Sequence, residues 1–338
     1  MKIGILSSGG DCPGINATIR GVAKTAITHF GMEVLGIKDG FQGMLNNDCV
    51  LLDEESLSGL LSLGGTILGT SREKPFKKIL NGSEDKKPEI IIESYKKLGL
   101  DCLVCIGGNG TQKTAYKLTQ LGLNVIGIPK TIDNDVWGTD ITFGFDSAVD
   151  IATEAIDRLH STASSHKRVM VIELMGHKAG WLTLYAGMAG GADVILLPEL
   201  GFDIDKINKA ILERVAKRKP YSIVAIAEGL GVPKKKMSPA SYISQLIEEG
   251  TGIETRETIL GYVQRGGSPS AFDRNLATRL GGHATELIAK RDFDKMVCLR
   301  GNEITSIALA EVSNNLKLVP SNHDLIIQGK RMGVSFGV

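Results

Sequence analysis

Short apolar runs alternate with longer stretches whose apolar residues recur at helical spacing, and this alternation continues along most of the chain. The run at 2–6 leads into a glycine-rich loop, after which a stripe of apolar residues predicts a helix that ends at Gly31. The same order of strand, loop and helix recurs over about 102–121, and a further strand is predicted at Val125–Pro129. Strands that alternate with helices are typical of parallel sheets, so the pattern predicts an α/β fold.

The second half of the chain repeats this pattern. Its apolar periodicity predicts a helix over about 147–164 and strands at 169–174, 194–197 and 223–226. Asp203 and the pair Ser238-Pro239 are typical helix starts. No linker rich in Ser or Pro separates the halves, so we expect two α/β lobes that face each other, with the chain crossing between them more than once. The lysine run 234–236 is expected to be a solvated loop.

Length and charge limit the classes of function. At about 150 residues per domain, 338 residues are enough for two domains. The 39 Lys and Arg residues nearly balance the 38 Asp and Glu residues, which argues against a general attraction to nucleic acid or anionic lipid. Any anion that binds must therefore be held by local contacts. Glycine accounts for 41 of the 338 residues, a larger fraction than the roughly 7% found in average proteins. This excess indicates that many loops of the chain contain glycine.

Cysteine usage indicates a reduced compartment. The five cysteines are odd in number and scattered, no secretory signal precedes the first strand, and no apolar stretch reaches the roughly 20 residues that span a bilayer. We therefore expect a cytoplasmic protein. Cys102 and Cys105 form a C-x-x-C pair, but they lie inside an apolar strand without a second pair, which argues against a metal or redox site.

Three glycine-rich segments, at 8–14, 63–72 and 107–111, are each expected to follow a strand and precede a helix. Glycine lets backbone N–H groups turn toward an anion, and the dipole of a following helix adds to the attraction. Each segment alone could be a tight turn, but together they predict a polyphosphate site. The sequence has no P-loop motif, no dinucleotide fingerprint after the first strand and no protein-kinase motif pair.

Two polar segments carry candidate chemistry. Residues 129–135 read P-K-T-I-D-N-D and place two carboxylates, a hydroxyl and a lysine at the carboxyl end of a predicted strand, where α/β folds bind ligands. Residues 260–269 contain Arg265 beside paired glycines, with Arg256 upstream. The planar guanidinium group suits phosphate, although either arginine could instead form a surface ion pair.

These motifs together resemble the phosphofructokinase family, from Lys2 to beyond Arg279. The matching motifs, in the family's order, are G-G-D-C-P-G-I-N-A, L-G-T-S-R, G-G-N-G-T, P-K-T-I-D-N-D, S-S-H-K-R, M-G-H-K-A-G-W, A-E-G and G-Y-V-Q-R-G-G-S-P. The resemblance implies two Rossmann-like lobes with parallel-rich sheets. It implies a phosphate-donor lobe at 1–145 plus about 266–315 and a sugar-phosphate lobe at 146–265 plus about 316–338.

The resemblance also implies a reaction, the transfer of a phosphoryl group from ATP to the 1-hydroxyl of fructose 6-phosphate in glycolysis. Asp133 would take the hydroxyl proton, Thr131 and Lys130 would contact the transferring phosphate, and Asp135 with Asn109 would hold Mg2+. The family's donor site corresponds to Gly10, Arg72, Gly108, Asn109, Gly110 and Thr111.

The acceptor residues follow from the same resemblance. The 6-phosphate would be bound by Arg168, Arg256, Tyr262 and Arg265, and the sugar hydroxyls by Met175, Gly176 and Glu228, with His177 beside them. In relatives, the counterparts of Arg168 and Arg256 reach in from a neighbouring subunit. The expected protein is therefore a homodimer or homotetramer with shared sites.

A few residues differ from the usual family motifs or help to distinguish the phosphoryl donors, and they bear on alternative functions. Asn109 stands where most members have Asp, His177 where Arg is usual, and Tyr262 where many ATP users have His. Pyrophosphate users of the family carry Asp at the position of Gly110, and glycine favours ATP because it leaves room for the nucleotide. Two alternatives remain: a pyrophosphate-dependent phosphofructokinase, and a catalytically weak homologue that binds or regulates.

Overall fold

The computed structural model describes residues 1–77, 86–233 and 237–338, so the lysine run 234–236 lies outside the described residues. Contacts between Cα atoms divide the chain into two compact units. Unit 1 comprises Met1–Thr131, Asp135–Asp146 and Arg265–Leu316. Unit 2 comprises Ile132–Asn134, Ser147–Gln264 and Lys317–Val338. The chain therefore passes between the units several times, and the short piece Ile132–Asn134 belongs to unit 2 although its neighbours on both sides belong to unit 1.

Strands and helices alternate through most of the described chain. The strands are β1 Lys2–Ser8, β2 Glu33–Ile37, β3 Cys49–Leu51, β4 Cys102–Gly107, β5 Val125–Pro129, β6 Val169–Leu174, β7 Val194–Leu196, β8 Ser222–Ala227, β9 Thr255–Ile259, β10 Lys295–Arg300 and β11 Glu303–Ala308. The helices are α1 Ile15–Phe30, α2 Phe41–Asn46, α3 Lys87–Lys97, α4 Asn109–Gln120, α5 Phe145–His166, α6 Trp181–Ala189, α7 Ile204–Ala216, α8 Pro239–Thr251, α9 Ala271–Ala289, α10 Leu309–Val312 and α11 Asp324–Arg331.

Unit 1 contains one sheet in the order β11-β10-β5-β4-β1-β2-β3. The central strands are parallel, and β3 and β11 pair antiparallel at the two edges. Strand β4 is buried along its whole length, as expected of a strand covered on both faces. The carboxyl ends of β1, β4 and β5 consequently lie side by side, and each leads into one of the predicted polar or glycine-rich segments.

Unit 2 contains a parallel sheet in the order β7-β8-β6-β9. Its core includes apolar residues of β6, β7 and β8 and of the helices α7 and α8. Helix α7 begins at the N-cap Asp203, whose carboxylate accepts from the N–H of Asp205 at 3.0 Å, and α8 begins after the N-cap Ser238. These parallel-rich sheets confirm the predicted fold class. No helix of the described residues is long and apolar enough to cross a membrane.

One predicted local structure is wrong. The glycine-rich segment 63–72 follows a short 3-10 helix at Leu60–Ser62 rather than a strand, and the next helix among the described residues is α3, which begins at Lys87. The physical reason is that the side chain of Asn16, on α1, holds this segment as a loop. Its Nδ2 donates to the carbonyl oxygens of Leu63 and Gly64, and its Oδ1 accepts from the N–H of Ile67.

Candidate active site

The first glycine-rich loop of unit 1 lies between β1 and α1 and is fixed by its backbone. Gly9 and Gly14 have φ of 90° and 101°, and a Cβ on Gly14 would lie only 2.9 Å from the Phe143 ring. The N–H of Gly9 donates to the carbonyl of Ser71 at 2.9 Å, and Thr70 Oγ1 donates to the carbonyl of Gly9 at 2.8 Å. The first and second glycine-rich loops are thus tied directly to each other, while the side chain of Arg72 next to them is exposed.

The third loop forms the start of α4. Gly108 is the N-cap residue, and no side chain of the described residues caps the helix, so none of them competes with an anion for the N–H groups at the start of α4. Thr111 Oγ1 donates to the carbonyl of Ser8 at 3.3 Å, which joins this loop to the end of β1. A Cβ on Gly110 would meet no atom within 4 Å, so there is open space at this position.

The segment 130–135 is unusual because its polar side chains are buried. Lys130 is 3% exposed, and Thr131, Asp133, Asn134 and Asp135 are all buried as well. Lys130 Nζ donates to the carbonyl of Gly10, so this cation lies against the first glycine-rich loop. Burying so many polar and ionisable groups in one segment is costly unless each has a partner, which is typical of a functional site.

Oxygen atoms that suit a metal ion lie at the end of this segment. Asn109 Nδ2 donates to the carbonyl of Asp135 at 3.3 Å, and Asn109 Oδ1 is buried without a hydrogen-bond partner in the part of the chain that the structure describes. An amide oxygen and a carboxylate are ligands that Mg2+ accepts, and protein sites for Mg2+ on phosphates often supply only one or two carboxylates. The described residues include no group of three or more His, Cys, Asp or Glu that could hold a metal by itself. Asn109 and Asp135 therefore fit a metal that a phosphate ligand also coordinates.

In unit 2, one carboxylate shapes the loop that follows β6. Glu228 Oε1 accepts from the N–H of Gly176 at 3.2 Å and from the N–H of His177 at 2.7 Å. These two residues have φ of 145° and 53°, so the loop is held in a conformation that few residues adopt. Met175 N donates to Gln264 Oε1 at 3.3 Å. The predicted hydroxyl-binding residues Met175, Gly176 and Glu228 therefore lie together at the carboxyl ends of β6 and β8.

Arg168 and Arg256 lie at the other end of β6. Arg168 directly precedes this strand, and Arg256 pairs with Met170 near its start. Arg168 Nε donates to Glu254 Oε2 at 2.5 Å, and Arg256 Nη2 donates to Glu254 Oε1, so one carboxylate bridges both guanidinium groups. Hydrogen bonding from Arg168 is the main cause that lowers the pKa of Glu254 below its usual value.

The length of β6 separates these arginines from Glu228. Strand β6 has six residues, which at about 3.3 Å per residue is roughly 20 Å. A fructose 6-phosphate molecule is far shorter than this, so within unit 2 one sugar phosphate does not reach from the loop at Gly176 to Arg168.

The last two predicted acceptor residues differ in their surroundings. Tyr262 belongs to unit 2, and its residue is 72% exposed. Arg265 belongs to unit 1, where its Nη1 donates to the carbonyl of Asp11 at 3.1 Å. A Cβ on Gly10 would lie 2.7 Å from that same nitrogen. Arg265 therefore packs against the first glycine-rich loop, beside residues that the sequence assigned to the donor.

Among the residues that shape these loops and the arginine cluster, sequence reasoning missed Asn16 and Glu254. A signal for Glu254 was available, because residues two apart on a strand face the same side, and Glu254 and Arg256 have this spacing at the start of β9. Asn16 lies within the motif G-G-D-C-P-G-I-N-A, but the motif does not reveal its partners, which lie about fifty residues further along the chain.

Comparisons with known proteins agree on one family. The family model described as Phosphofructokinase matches residues 2–288. The chain is 66% identical over 337 residues to "ATP-dependent 6-phosphofructokinase 3" of Bacteroides thetaiotaomicron, with 100% of each chain covered. It is 55% identical over 355 residues to "ATP-dependent 6-phosphofructokinase" of Spirochaeta thermophila, covering 99% of this chain and 97% of the relative. Phosphofructokinase from Saccharomyces cerevisiae has a similar structure, with a TM-score of 0.82 and 31% identity over 92% of this chain and 45% of the longer yeast chain.

Proposed function

The chain belongs to the phosphofructokinase family, and we propose that it transfers the γ-phosphoryl group of ATP to the 1-hydroxyl of fructose 6-phosphate. In this reaction the O1 atom bonds to the γ-phosphorus, the bond from that phosphorus to the β–γ bridging oxygen breaks, and ADP leaves. The proton of the hydroxyl passes to Asp133, and the product is fructose 1,6-bisphosphate. Because these substrates belong to glycolysis, we propose that the enzyme works in the cytoplasm.

The observation that carries this proposal is the buried polar segment 130–135 at the carboxyl end of β5. Phosphoryl transfer has a loose transition state, so catalysis depends on orienting the hydroxyl and neutralising the charge of the transferring group. Asp133 supplies the base that orients the hydroxyl, and Lys130 supplies a cation next to the first glycine-rich loop. Thr131 completes the set as a hydroxyl donor to the transferring phosphate.

ATP is the donor that the features of α4 favour. The open space at Gly110 leaves room for a nucleotide, whereas a carboxylate at this position would repel its phosphates. The curated relatives named above are described as ATP-dependent. Gly10, Arg72, Gly108 and Thr111 would surround the donor phosphates, with backbone N–H groups as the main anion ligands.

Mg2+ is the metal that this reaction needs, and Asn109 and Asp135 are the residues that would hold it. When bound, Mg2+ neutralises charge on the donor phosphates. Asn109 contributes a neutral oxygen where most of the family has a carboxylate, so this chain itself places less negative charge at the metal. We expect the donor phosphates to supply the rest of the metal's ligands.

The acceptor site would be shared between two copies of the chain. Glu228, Met175, Gly176 and His177 would bind the sugar in one copy, and Arg168 and Arg256 of the neighbouring copy would bind the 6-phosphate. The separation of roughly 20 Å along β6 supports this division, because one copy's arginines are too far from its own sugar loop within unit 2. The family resemblance also assigns Tyr262 and Arg265 to the 6-phosphate.

A coupled assay for fructose 1,6-bisphosphate tests the proposal. We expect turnover with fructose 6-phosphate, ATP and Mg2+, and none with pyrophosphate. Asp133→Asn should lower kcat by at least about 10²-fold, because general-base catalysis contributes about 10²- to 10⁴-fold. Turnover with pyrophosphate alone would instead identify the other donor class. Binding of the sugar phosphate without turnover in either assay would identify a binding homologue.

A further inference from the structure

We propose that Lys317 is a positioning residue for the reaction, because it holds Asn134 and thereby sets the orientation of the neighbouring Asp133. The inference rests on the proposed function, in which Asp133 is the base. Lys317 Nζ donates to Asn134 Oδ1 at 2.8 Å, and both residues belong to unit 2. They are 183 positions apart in the chain, so this contact forms only in the folded protein.

Asn134 controls the direction of the chain next to Asp133. It is 2% exposed and has a φ of 50°, in the left-handed region that only a few non-glycine residues adopt. A residue in this conformation turns the backbone sharply, so its angles affect where the side chain before it points. A backbone held in such a conformation needs surrounding contacts to maintain it, and the charged hydrogen bond from Lys317 is one such contact.

Lys317 is itself held at the start of α6. Trp181 Nε1 donates to the carbonyl of Lys317 at 2.9 Å, and the ammonium group lies 5.2 Å from the centre of the Trp181 ring. A cation over an indole ring is attracted to it, which restricts the otherwise flexible lysine stem. Both the backbone and the side chain of Lys317 are thus fixed by one aromatic residue.

A carboxylate fixes the same segment two residues further on. Glu199 Oε1 accepts from the N–H of Val319 at 3.0 Å and from the N–H of Gly180 at 2.9 Å. Gly180 and Trp181 directly follow the sugar-binding loop that Glu228 holds. Lys317 therefore connects the residue next to the proposed base with the end of the loop proposed to bind the sugar hydroxyls. We expect this connection to keep the carboxylate of the base at a fixed distance and angle from the acceptor hydroxyl, which phosphoryl transfer requires.

The variant Lys317→Met removes the charge and the donor but keeps a stem that can pack on Trp181. We expect kcat to fall about 10- to 100-fold, since a misplacement of about 1 Å can cost this much, while KM for ATP and for fructose 6-phosphate stays within about twofold. Lys317→Arg should recover most of the rate, because a guanidinium can both donate to Asn134 and stack on the indole. Lys330→Met, at an exposed lysine of α11 in the same unit, is the matched control and should keep the parent rate.

A double-mutant cycle separates positioning from a general loss of stability. If Lys317 acts through Asp133, the variant with both Lys317→Met and Asp133→Asn should be no slower than Asp133→Asn alone. Asn134→Gly gives an independent test, because glycine keeps the left-handed backbone accessible but lacks the acceptor. It should lose kcat like Lys317→Met, and combining the two changes should cost nothing more.

Two results would overturn the inference: an unchanged kcat in Lys317→Met, or multiplicative losses in the cycle with Asp133→Asn. Melting temperatures of all variants identify any loss that is due to unfolding, and Asn134→Gly decides the question if Lys317→Met does not fold. Failure of the proposed function looks different, since Asp133→Asn would then keep more than about a tenth of the parent rate, well above the loss expected from removing a general base.

Discussion

The glycine-rich loops of unit 1 and the arginine cluster at the start of β6 hold their shapes by different means. The loops are tied to each other and to α1 by hydrogen bonds of neutral side chains, such as those of Asn16 and Thr70, and are shaped by glycines in conformations that other residues avoid. The cations of Lys130 and Arg265 also donate to the first loop, but only to its backbone carbonyl groups. The cluster is fixed by charge, with Glu254 bridging Arg168 and Arg256. In the proposed reaction the loops would receive the donor without first losing a carboxylate partner, whereas the arginines would have to exchange Glu254 for the phosphate of the sugar. Substitutions in the two regions should therefore affect different kinetic constants.

The largest effect is expected at Gly110. Gly110→Asp puts a carboxylate into the open space where we place the nucleotide phosphates, and two negative charges in contact repel each other. We expect kcat/KM for ATP to fall by more than about 10²-fold, with KM for fructose 6-phosphate nearly unchanged. Steady-state assays that vary each substrate check this. Gly110→Ala is the matched control and should remain close to the parent, and unaltered ATP turnover in Gly110→Asp would refute our placement of the donor.

Substitutions in the arginine cluster should change KM for fructose 6-phosphate and leave KM for ATP nearly unchanged. Arg168→Ala removes a charged hydrogen bond worth about 1.5 to 3 kcal/mol, which corresponds to roughly a 10- to 150-fold increase in KM for fructose 6-phosphate. KM for ATP should change little. An increase in both constants by the same factor would mean that Arg168 supports the fold and does not bind the sugar phosphate, and a thermal melt of the variant would show the loss of stability.

A substitution of Glu254 should change KM for fructose 6-phosphate by a smaller factor, and should lower it rather than raise it. Glu254→Gln removes the negative charge that would compete with the sugar phosphate in the proposed site but keeps an oxygen that can accept from Arg168. We expect KM for fructose 6-phosphate to fall about two- to fivefold, an effect of the size typical of exposed ion pairs. An increase as large as that of Arg168→Ala would show that the carboxylate is needed to orient the arginines.

The lowered pKa of Glu254 determines the pH range over which its charge is constant. Because the pKa of Glu254 is lowered in the folded protein, its contribution to stability is present above the ordinary pKa of glutamate and is lost as pH falls through the lowered value. Glu254 therefore stays ionised between pH 6 and pH 8, a range several units above about 4.3. The ratio of KM values between Glu254→Gln and the parent should be constant over this range. A ratio that changes with pH would indicate a different titrating group.

The smallest effect is expected at the metal. Asn109→Asp replaces a buried amide group by a carboxylate, which should lower the Mg2+ concentration needed for half-maximal rate by a few-fold. Rates at saturating Mg2+ should remain similar. Activity measured across a Mg2+ titration, with Asn109→Ala as the control, tests this. A variant that needs more Mg2+ than the parent would contradict the assignment of Asn109 to the metal.

Local sequence patterns predicted most of the fold. Helix α1 ends before Gly31, β5 spans Val125–Pro129 and α7 begins after Asp203, each as the spacing of apolar residues and the capping residues indicate. The family resemblance is likewise confirmed. The loop 63–72 was predicted less well, because its conformation depends on Asn16, which lies in a different element. Apolar periodicity and capping describe only short stretches of chain, so contacts between distant residues are invisible to them.

The candidate site shows the same limit. The buried segment 130–135 was identified because several ionisable residues adjoin a strand end, a pattern that is visible locally. Lys317 was not predicted from the sequence because its partners, Asn134 and Trp181, lie more than a hundred positions away in the chain. The roles of the predicted site residues remain predictions.

The division of the acceptor site between two copies is the central claim, and a subunit-mixing assay tests it most directly. Asp133→Asn and Arg168→Ala should each be nearly inactive at low fructose 6-phosphate. After the subunits are exchanged at equal amounts, about a quarter of the sites should combine an intact Asp133 from one copy with an intact Arg168 from its neighbour, as random assembly of a symmetric oligomer requires. The account therefore predicts that the mixture recovers about a quarter of the parent rate at that substrate concentration. A mixture no more active than the average of the two variants, with subunit exchange verified, would contradict it.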